Sequence, residues 1–550
     1  EIARDLRSLK EELGVEARLR RTLEPEKLLP GKIGRSRDSM RTLRLAARRT
    51  FSADYFIGEV KRRKSLVAAA LVLLVGSIVA LTYSVRERSQ PNVTNPTKRS
   101  IAVLPFEAIS ATDRDDIYEI GIADSLIHRL SSMSGFVVRQ LGATREYKDL
   151  ERDQVAVGKE QQVDYVIAAN YQLNGGRIRI TAKLFNIASG QIERTYQVEK
   201  DASNVLTMQD EIAAEVGDKL LTQFATIANR PYGRRGTSNE EAYRFYLHGM
   251  YLANQRSSVD APKAVQALEK AVALDPDYAL AWAGLAYAQR AAGLRTRNAH
   301  EAHQKSMTSV NRALALDPNL SEAHSALCEN RYLYEWDFLR AEQDCRRAIE
   351  LNPNSSQAHE IFARYLMGRG RHEEAIAEIK VAIDLDPTSR FVQRNYGRAL
   401  FYARQYREAA EQFKRVLAMD ENFVGTYPWV TSALVFDGNE AEAFEWLLKL
   451  LSLRKTDEET VQIFKNAFNS LGWRGVLREW VIRLGTVGGD NFDGAIYSAQ
   501  LGNKDKAFEY LEKVYQQREL WITYIQVDPR LDSLRDDPRY VDLVKRVEAK

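Results

Sequence analysis

Apolar positions in the second half of the chain recur with the period of an α-helix, and short turn signals interrupt them at regular intervals. The turns carry Leu-Asp-Pro at 274–276, 316–318 and 385–387, Leu-Asn-Pro at 351–353, and Met419-Asp420-Glu421 where a fifth would fall. From Pro276 the marker recurs after 42, 35, 34 and 34 residues. A period near 34 is typical of stacked helix–turn–helix units, so the pattern predicts a helical solenoid.

Each predicted unit places small residues where its two helices cross and large apolar residues in the shared core. The repeat positions are Ala264, Ala271, Trp282, Ala341, Ala348, Ala363, Ala375, Ala382, Gly397 and Ala409. Proline follows each second helix because it cannot donate the next backbone hydrogen bond. Residues 240–425 resemble the tetratricopeptide repeat family, and residues 426–550 read as degenerate helical repeats with a capping segment. The resemblance implies a protein or peptide partner on the concave face, to which each repeat contributes its first helix.

Residues 99–225 change to short apolar runs and alternating strands, with turns at Asn174-Gly175-Gly176 and Ser189-Gly190. The element order βαβαβββα predicts a small α+β domain with one sheet. The runs SIAVLPF at 100–106, GIADSLIHRLS at 121–131 and LTMQDEIAAEV at 206–216 resemble a TolB amino-terminal-like domain. That resemblance implies a non-catalytic domain that binds or positions another molecule.

Residues 65–85 are 21 consecutive residues without a charge, a length that predicts a transmembrane helix. Lys61-Arg62-Arg63-Lys64 precedes them, so the positive-inside rule places the amino terminus in the cytoplasm. We therefore expect a protein of the inner membrane, with residues 86–550 outside the cytoplasm and residues 86–98 as a spacer. The predicted fold class is multidomain: a single transmembrane helix, the α+β domain, and an all-α solenoid.

Charge changes this picture mainly at the amino terminus. The formal net charge of the chain is +4, but residues 1–64 hold 18 Lys or Arg against 10 Asp or Glu. We interpret residues 1–64 as an amphipathic helix followed by a basic juxtamembrane linker. The chain begins at Glu1 with no signal peptide, and we expect it to be the carboxy-terminal portion of a longer protein.

The first 14 residues, EIARDLRSLKEELG, resemble the last helix of a bacterial transmembrane Ser/Thr protein kinase domain. The resemblance implies a sensor half whose catalytic domain would precede this chain. The chain itself has no Gly-rich phosphate loop, His-Arg-Asp loop or Asp-Phe-Gly motif, and phosphoryl transfer needs such groups together. No catalytic, cofactor-binding or metal-binding residue is predicted, and enzymatic activity of a longer parent stays open.

Cys328 and Cys345 are the two cysteines, and both fall in one repeat on helices expected to pack together. Two readings stay open: two small buried residues, or a disulfide, which would need Cα atoms within roughly 7 Å.

The first functional hypothesis is a signalling and interaction protein, the sensor half of a kinase, whose dimerisation is left open. The alternatives are a transmembrane transcriptional regulator with an upstream winged helix, an adenylate cyclase-associated module, or a non-catalytic scaffold. No nucleic-acid contact is expected within this chain.

Overall fold

The computed structural model describes residues 99–131, 136–149, 153–221, 236–255, 259–293, 299–484 and 490–549. The predictions for the amino-terminal helix and linker, the span over 65–85 and the spacer lie outside the described residues.

The amino-terminal part of the described chain is a small domain built around one mixed sheet. Its elements are β1 (Arg99–Val103), β2 (Glu107–Ala108), α1 (Asp116–Ser131), β3 (Phe136–Val138), α2 (Leu141–Thr144), α3 (Gln154–Glu160), β4 (Tyr165–Asn174), β5 (Arg177–Asn186), β6 (Gln191–Asp201) and α4 (Val205–Leu221). The sheet order is β3-β1-β4-β5-β6, and the short β2 also pairs with β4. Strands β1, β3 and β4 are parallel, whereas β5 and β6 continue the sheet antiparallel.

The sheet is covered on both faces, which explains its apolar strands. Ile101, Ile167 and Ile180 form one core with residues of α1 and α4, and Ala102 and Val166 form a smaller core with α3 on the other face. Between β3 and β4, the charged stretch over 145–162 contains a 3-10 turn (Arg145–Asp149) and the separate α3. Asp153 begins α3 as its cap, since its carboxylate accepts from two backbone N–H groups.

The rest of the described chain is a helical array in which consecutive helices pack as antiparallel pairs. Its helices are α5 (Glu240–Gln255), α6 (Asp260–Leu274), α7 (Ala279–Gly293), α8 (Ala299–Leu316), α9 (Ser321–Asn330), α10 (Phe338–Leu351), α11 (Ser356–Gly368), α12 (His372–Leu385), α13 (Arg390–Tyr402), α14 (Tyr406–Met419), α15 (Tyr427–Phe436), α16 (Glu440–Leu453), α17 (Glu458–Leu471), α18 (Trp473–Ile482), α19 (Asn491–Gln500), α20 (Lys504–Gln516) and α21 (Pro538–Glu548). A π-helical turn (Arg331–Glu335) extends α9, and two 3-10 turns, Leu520–Tyr524 and Pro529–Leu534, lie between α20 and α21.

The recurring tripeptide marks the end of four second helices. Helices α6, α8, α10 and α12 each end at the leucine of the marker. The following Asp or Asn makes the turn, because its side-chain oxygen accepts a hydrogen bond from the backbone N–H two residues later. Asp275 accepts from Asp277, and Asp317 from Asn319, at 3.1 and 2.9 Å. The proline then prevents the helix from continuing.

The transmembrane part of the predicted fold class is wrong for the described chain. A helix needs about 20 apolar residues to cross a bilayer, and no helix among the described residues is both long and apolar enough. The longest of them, α8 and α4, contain charged side chains. The predicted inner-membrane localisation is corrected with it, since it depended on that span.

Candidate functional site

The first helices of the repeats line the inner side of the array. Helix α7 packs on α9, α9 on α11, and α11 on α13, which brings their exposed faces side by side. We call this surface the inner face. Sequence analysis predicted that a partner would bind there.

Residues 519–535, which we call the wedge, cover the inner face over α11, α13 and α15. The wedge runs through the two 3-10 turns between α20 and α21. Ile522, Asp528, Leu531 and Leu534 are fully buried, and Tyr524 is 2% exposed. The wedge packs on the last helices on one side and on the inner face on the other, so it joins the end of the array to its middle.

Aromatic rings dominate the contact between the wedge and the inner face. The ring of Tyr524 stacks on Tyr402 with centroids 5.3 Å apart, and its hydroxyl donates to the Arg364 carbonyl oxygen at 3.3 Å. Trp521 lies 6.0 Å from Trp429, ring centroid to ring centroid. Such pairs stabilise a contact by about 1 kcal/mol beyond the apolar area they bury.

Gly368 permits the close approach of the wedge backbone to α11. A Cβ atom on Gly368 would lie 3.1 Å from the Thr523 carbonyl oxygen and would overlap the Tyr332 hydroxyl. The helix therefore needs a residue without a side chain where the wedge crosses it.

Two ion pairs stabilise this closure, one exposed and one partly buried. Arg404, in the turn after α13, donates to both carboxylate oxygens of Asp532 at 2.6 and 3.0 Å. Arg369, after α11, contacts both oxygens of Glu548 in α21 at 2.5 and 2.8 Å. Half of the Arg404 side chain is exposed. A solvent-exposed pair such as Arg404 with Asp532 is weak, typically worth about 0.2–1 kcal/mol.

Below the wedge, charged side chains form a continuous buried row along the inner face. Its members, in order, are Arg290, Glu329, Arg364, Glu360, Asn395 and Arg398. Glu329 lies between two arginines, with Arg290 Nε 2.6 Å from its Oε2 and Arg364 on its other oxygen. At the far end, Arg398 donates through Nη1 to Asn395 Oδ1 at 3.1 Å.

The row holds three arginines and two glutamates, so one positive charge lacks a carboxylate within it. That charge is on Arg398, whose guanidinium lies 4.9 Å from the Trp429 ring centroid, 5.0 Å from that of Trp521 and 5.1 Å from that of Tyr524. Its Nε and Nη2 make no hydrogen bond within the described residues. Ring faces attract the cation but do not accept its hydrogen bonds as a carboxylate would.

The row perturbs the titration of its members. Burial by itself lowers the pKa of Arg364, but Glu329 and Glu360 more than offset this, so its pKa lies above the ordinary value. Burial also raises the pKa of Tyr402 above its usual range. Burial by itself lowers the pKa of Arg398 as well, but the neighbouring Tyr524 and Tyr402 raise it above the ordinary value. Arg364 and Arg398 are therefore charged, and Tyr402 is neutral, at every pH of interest.

The predicted repeat positions lie at helix–helix contacts. All of them are buried except Trp282, which packs on the first repeats as a partly buried ring. A Cβ atom on Gly397 would stand 2.5 Å from the Phe413 ring, so the glycine is required by close packing. Cys328 in α9 and Cys345 in α10 are buried, with Cα atoms 5.2 Å apart and their sulfur atoms within bonding distance.

Sequence reasoning missed both the wedge and the buried row. The apolar residues of the wedge are irregularly spaced, and its aspartates and arginines resemble a solvated loop. A signal was present in the pair Trp521 and Tyr524, because two large rings in a segment without helical periodicity need a partner surface.

The α/β domain contacts the array at the array's amino-terminal end and at the turns between its repeats. Ile117 and Leu206 share a core with residues of α5, and the Tyr243 hydroxyl donates to Asp124 Oδ2 at 2.9 Å. At the turns, Asn354 Nδ2 donates to the Ser131 carbonyl oxygen at 3.0 Å. The domain and the array therefore form one unit.

Comparison with known proteins identifies the repeats. Residues 330–390, from the end of α9 to the start of α13, match the tetratricopeptide repeat family model. Over these residues the array is similar to tetratricopeptide repeats. Within the described residues, no group of three or more His, Cys, Asp or Glu side chains is arranged to hold a metal ion.

The α/β domain has a different match from the one expected. Residues 97–215 match the family model described as HilA/YgeH-like transcriptional regulator, second domain. The resemblance to a TolB-like domain stays a prediction. Nothing in these comparisons supports a kinase relationship.

A protein of Rhizobium meliloti (strain 1021), provisionally named adenylate cyclase 3, is 28% identical over 206 residues. The match covers 36% of this chain and only 35% of the relative's length.

Similar solved structures include PilF of Pseudomonas aeruginosa, with 16% identity over 43% of this chain and 96% of PilF at a TM-score of 0.27. They also include YrrB, described as a TPR protein with an unusual peptide-binding site, with 16% identity over 35% of this chain and 94% of YrrB at a TM-score of 0.26.

Proposed function

We propose that the chain is the interaction module of a regulatory protein and that its tetratricopeptide array binds a protein or peptide partner. The family match supports the general role of an interaction scaffold. One observation carries the finer proposal: the inner face already holds a peptide segment of irregular conformation, the wedge, through aromatic, ionic and backbone contacts. A surface that binds such a segment within the chain has the chemistry to bind one from another protein.

The output that this module would serve has two candidates. The match of residues 97–215 favours a transcriptional regulator, and the relative with the cyclase name favours synthesis of a cyclic nucleotide. The kinase hypothesis rests only on residues 1–14, which lie outside the described residues.

A peptide display screen tests the partner-binding role directly. The full chain is exposed to a library of 15-residue peptides encoded by the source genome, and enriched peptides are titrated by calorimetry. We expect dissociation constants in the micromolar range or tighter, with cross-links from the bound peptide to residues 240–549. If no peptide binds tighter than about 100 μM, or if the cross-links fall outside the array, the proposal fails.

Two further assays separate the candidate outputs. The chain is incubated with ATP and Mg²⁺ to measure cyclic AMP, and duplex DNA is titrated at several salt concentrations. We expect neither activity from an interaction module alone. Cyclic AMP formation would favour a cyclase, and salt-dependent DNA binding would favour a regulator that contacts DNA through this chain.

A further inference from the structure

The wedge has the character of a bound ligand more than that of a repeat. It is built of two 3-10 turns where the flanking segments are regular α-helices. It reaches the inner face mainly through side chains, such as Tyr524 on Tyr402, and through an exposed ion pair between Asp532 and Arg404. Contacts of this type can be exchanged for equivalent contacts from another peptide.

The wedge also leaves the positive charge of Arg398 on the inner face without a carboxylate partner. It brings one carboxylate close to the aromatic site, that of Asp528, which is fully buried. Arg530 of the wedge itself binds both oxygens of that carboxylate at 2.9 and 2.7 Å. Arg530 then stacks over Trp429 at 4.8 Å, on the ring that Arg398 also approaches. At the aromatic site the wedge therefore adds no unpaired carboxylate to balance Arg398, because the charge of Asp528 is compensated by Arg530.

A buried cation without a carboxylate is costly, and a ligand that supplies one gains affinity. We propose that the wedge is a displaceable internal competitor, and that the partner is a peptide with an aromatic side chain and an unpaired carboxylate that reaches Arg398. This inference rests on the proposed function and specifies its site and ligand class. Partner binding and closure of the array by the wedge would then exclude each other.

The exposed ion pair offers a way to weaken the wedge without altering the core beneath it. Asp532→Arg places a positive charge opposite Arg404 and beside Arg535 of the wedge, which also donates to Asp532 at 2.7 Å. The double variant Arg404→Asp/Asp532→Arg restores the attraction between positions 404 and 532 with the signs exchanged. Glu512→Arg is the matched control, because Glu512 forms a similar two-point pair with Arg546 on the outer side of α20 and α21.

Hydrogen exchange of the full chain measures how often the wedge opens. We expect Asp532→Arg to speed exchange of amides in residues 520–535 about fivefold, the effect of losing a good surface pair. The double variant should return most of the way towards the wild-type rate, short of it by the lost contact between Asp532 and Arg535, and Glu512→Arg should leave these amides unchanged. If residues 520–535 exchange as slowly as the array core in every variant, the wedge is a permanent part of the fold and the inference is wrong.

Binding of synthetic peptides then tests competition. A fluorescent peptide of residues 519–535 should bind Asp532→Arg about fivefold more tightly than the wild-type chain, because the wedge of the variant opens more often. The same peptide with Arg530→Ala presents Asp528 unpaired and should bind more tightly still. Adding Asp528→Asn to that peptide should remove the gain. Equal affinity of all three peptides would refute the proposed ligand class. Equal binding of the first peptide to the wild-type chain and to Asp532→Arg would refute the competition.

These outcomes are independent of the general partner-binding role. If displayed peptides bind the array while the wedge stays closed and does not compete, only this inference fails. If no peptide from the library binds but the wedge opens and binds its own sequence, the proposed function fails, and the wedge is a reversible closure of the array with no partner that competes with it.

Discussion

The cysteine pair gives a quantitative test of how the third repeat is held together. Cys328 and Cys345 are 17 residues apart in sequence, and a disulfide between them would restrict the unfolded chain. A loop of that size corresponds to about 3 kcal/mol of stabilisation in the loop-entropy treatment. Because repeats interact mainly with their neighbours, the loss should concentrate in α9 and α10 rather than spread over the whole array.

Native-state hydrogen exchange with and without reductant measures this loss. Reduction should speed exchange of amides in α9 and α10 by about a hundredfold, which corresponds to about 3 kcal/mol. Cys328→Ala/Cys345→Ala should show the fast exchange in both conditions. The reasoning is refuted if thiol titration of the untreated, denatured protein counts two free thiols, or if verified reduction leaves the exchange of α9 and α10 unchanged.

Three further changes test packing, pH dependence and domain contact. Gly397→Ala drives a methyl group into Phe413 and should destabilise the array by about 1–3 kcal/mol in urea unfolding, whereas Gly142→Ala, with 4.0 Å of free approach, should be nearly neutral. Burial and the neighbouring carboxylate of Asp490 raise the pKa of Asp493 to about 7. The folded state therefore holds more protons than the unfolded state, and the free energy of unfolding should fall as the pH rises from about 4 to 7. Asp493→Asn should remove that slope, and an unchanged slope in the variant would contradict the assignment to Asp493. Arg139→Met removes a buried guanidinium that donates to backbone carbonyl oxygens of the α/β domain and of α12. The substitution should lower the free energy of unfolding by about 2 kcal/mol and speed amide hydrogen exchange at the end of α12. Unaltered exchange at the end of α12 would argue against this contact.

The array could be predicted because its signals are local and repeated. The Leu-Asp-Pro turn combines a helix end, a side-chain hydrogen bond two residues on, and a proline, all within one short segment. The strands of the α/β domain were equally visible, because β4 and β5 alternate buried and exposed residues over most of their length. Local chemistry of this kind does not depend on the distant fold.

The inner face could not be predicted in the same way, because its contacts join residues far apart in sequence. Tyr524 meets Tyr402 across 122 positions, and Arg404 meets Asp532 across 128. No periodicity encodes such a pair, and each partner taken alone looks like an ordinary surface residue. The general prediction of an interaction array is confirmed, while the prediction of a partner on its concave face did not anticipate the wedge.

Two elements, the α/β domain and the wedge, therefore hold the array in place, and they differ in how easily each can be separated from it. The α/β domain shares an apolar core with α5, so separating them would expose Ile117 and Leu206 to water. The wedge also buries apolar groups, but its inner-face contacts can be replaced in kind by the rings of a bound peptide, and its exposed ion pair contributes little. A partner that provides both an aromatic side chain and a carboxylate for Arg398 would recover what the wedge loses and add a pairing that the closed state lacks. The equilibrium between the array closed by the wedge and the array with a bound partner therefore depends on the buried Arg398.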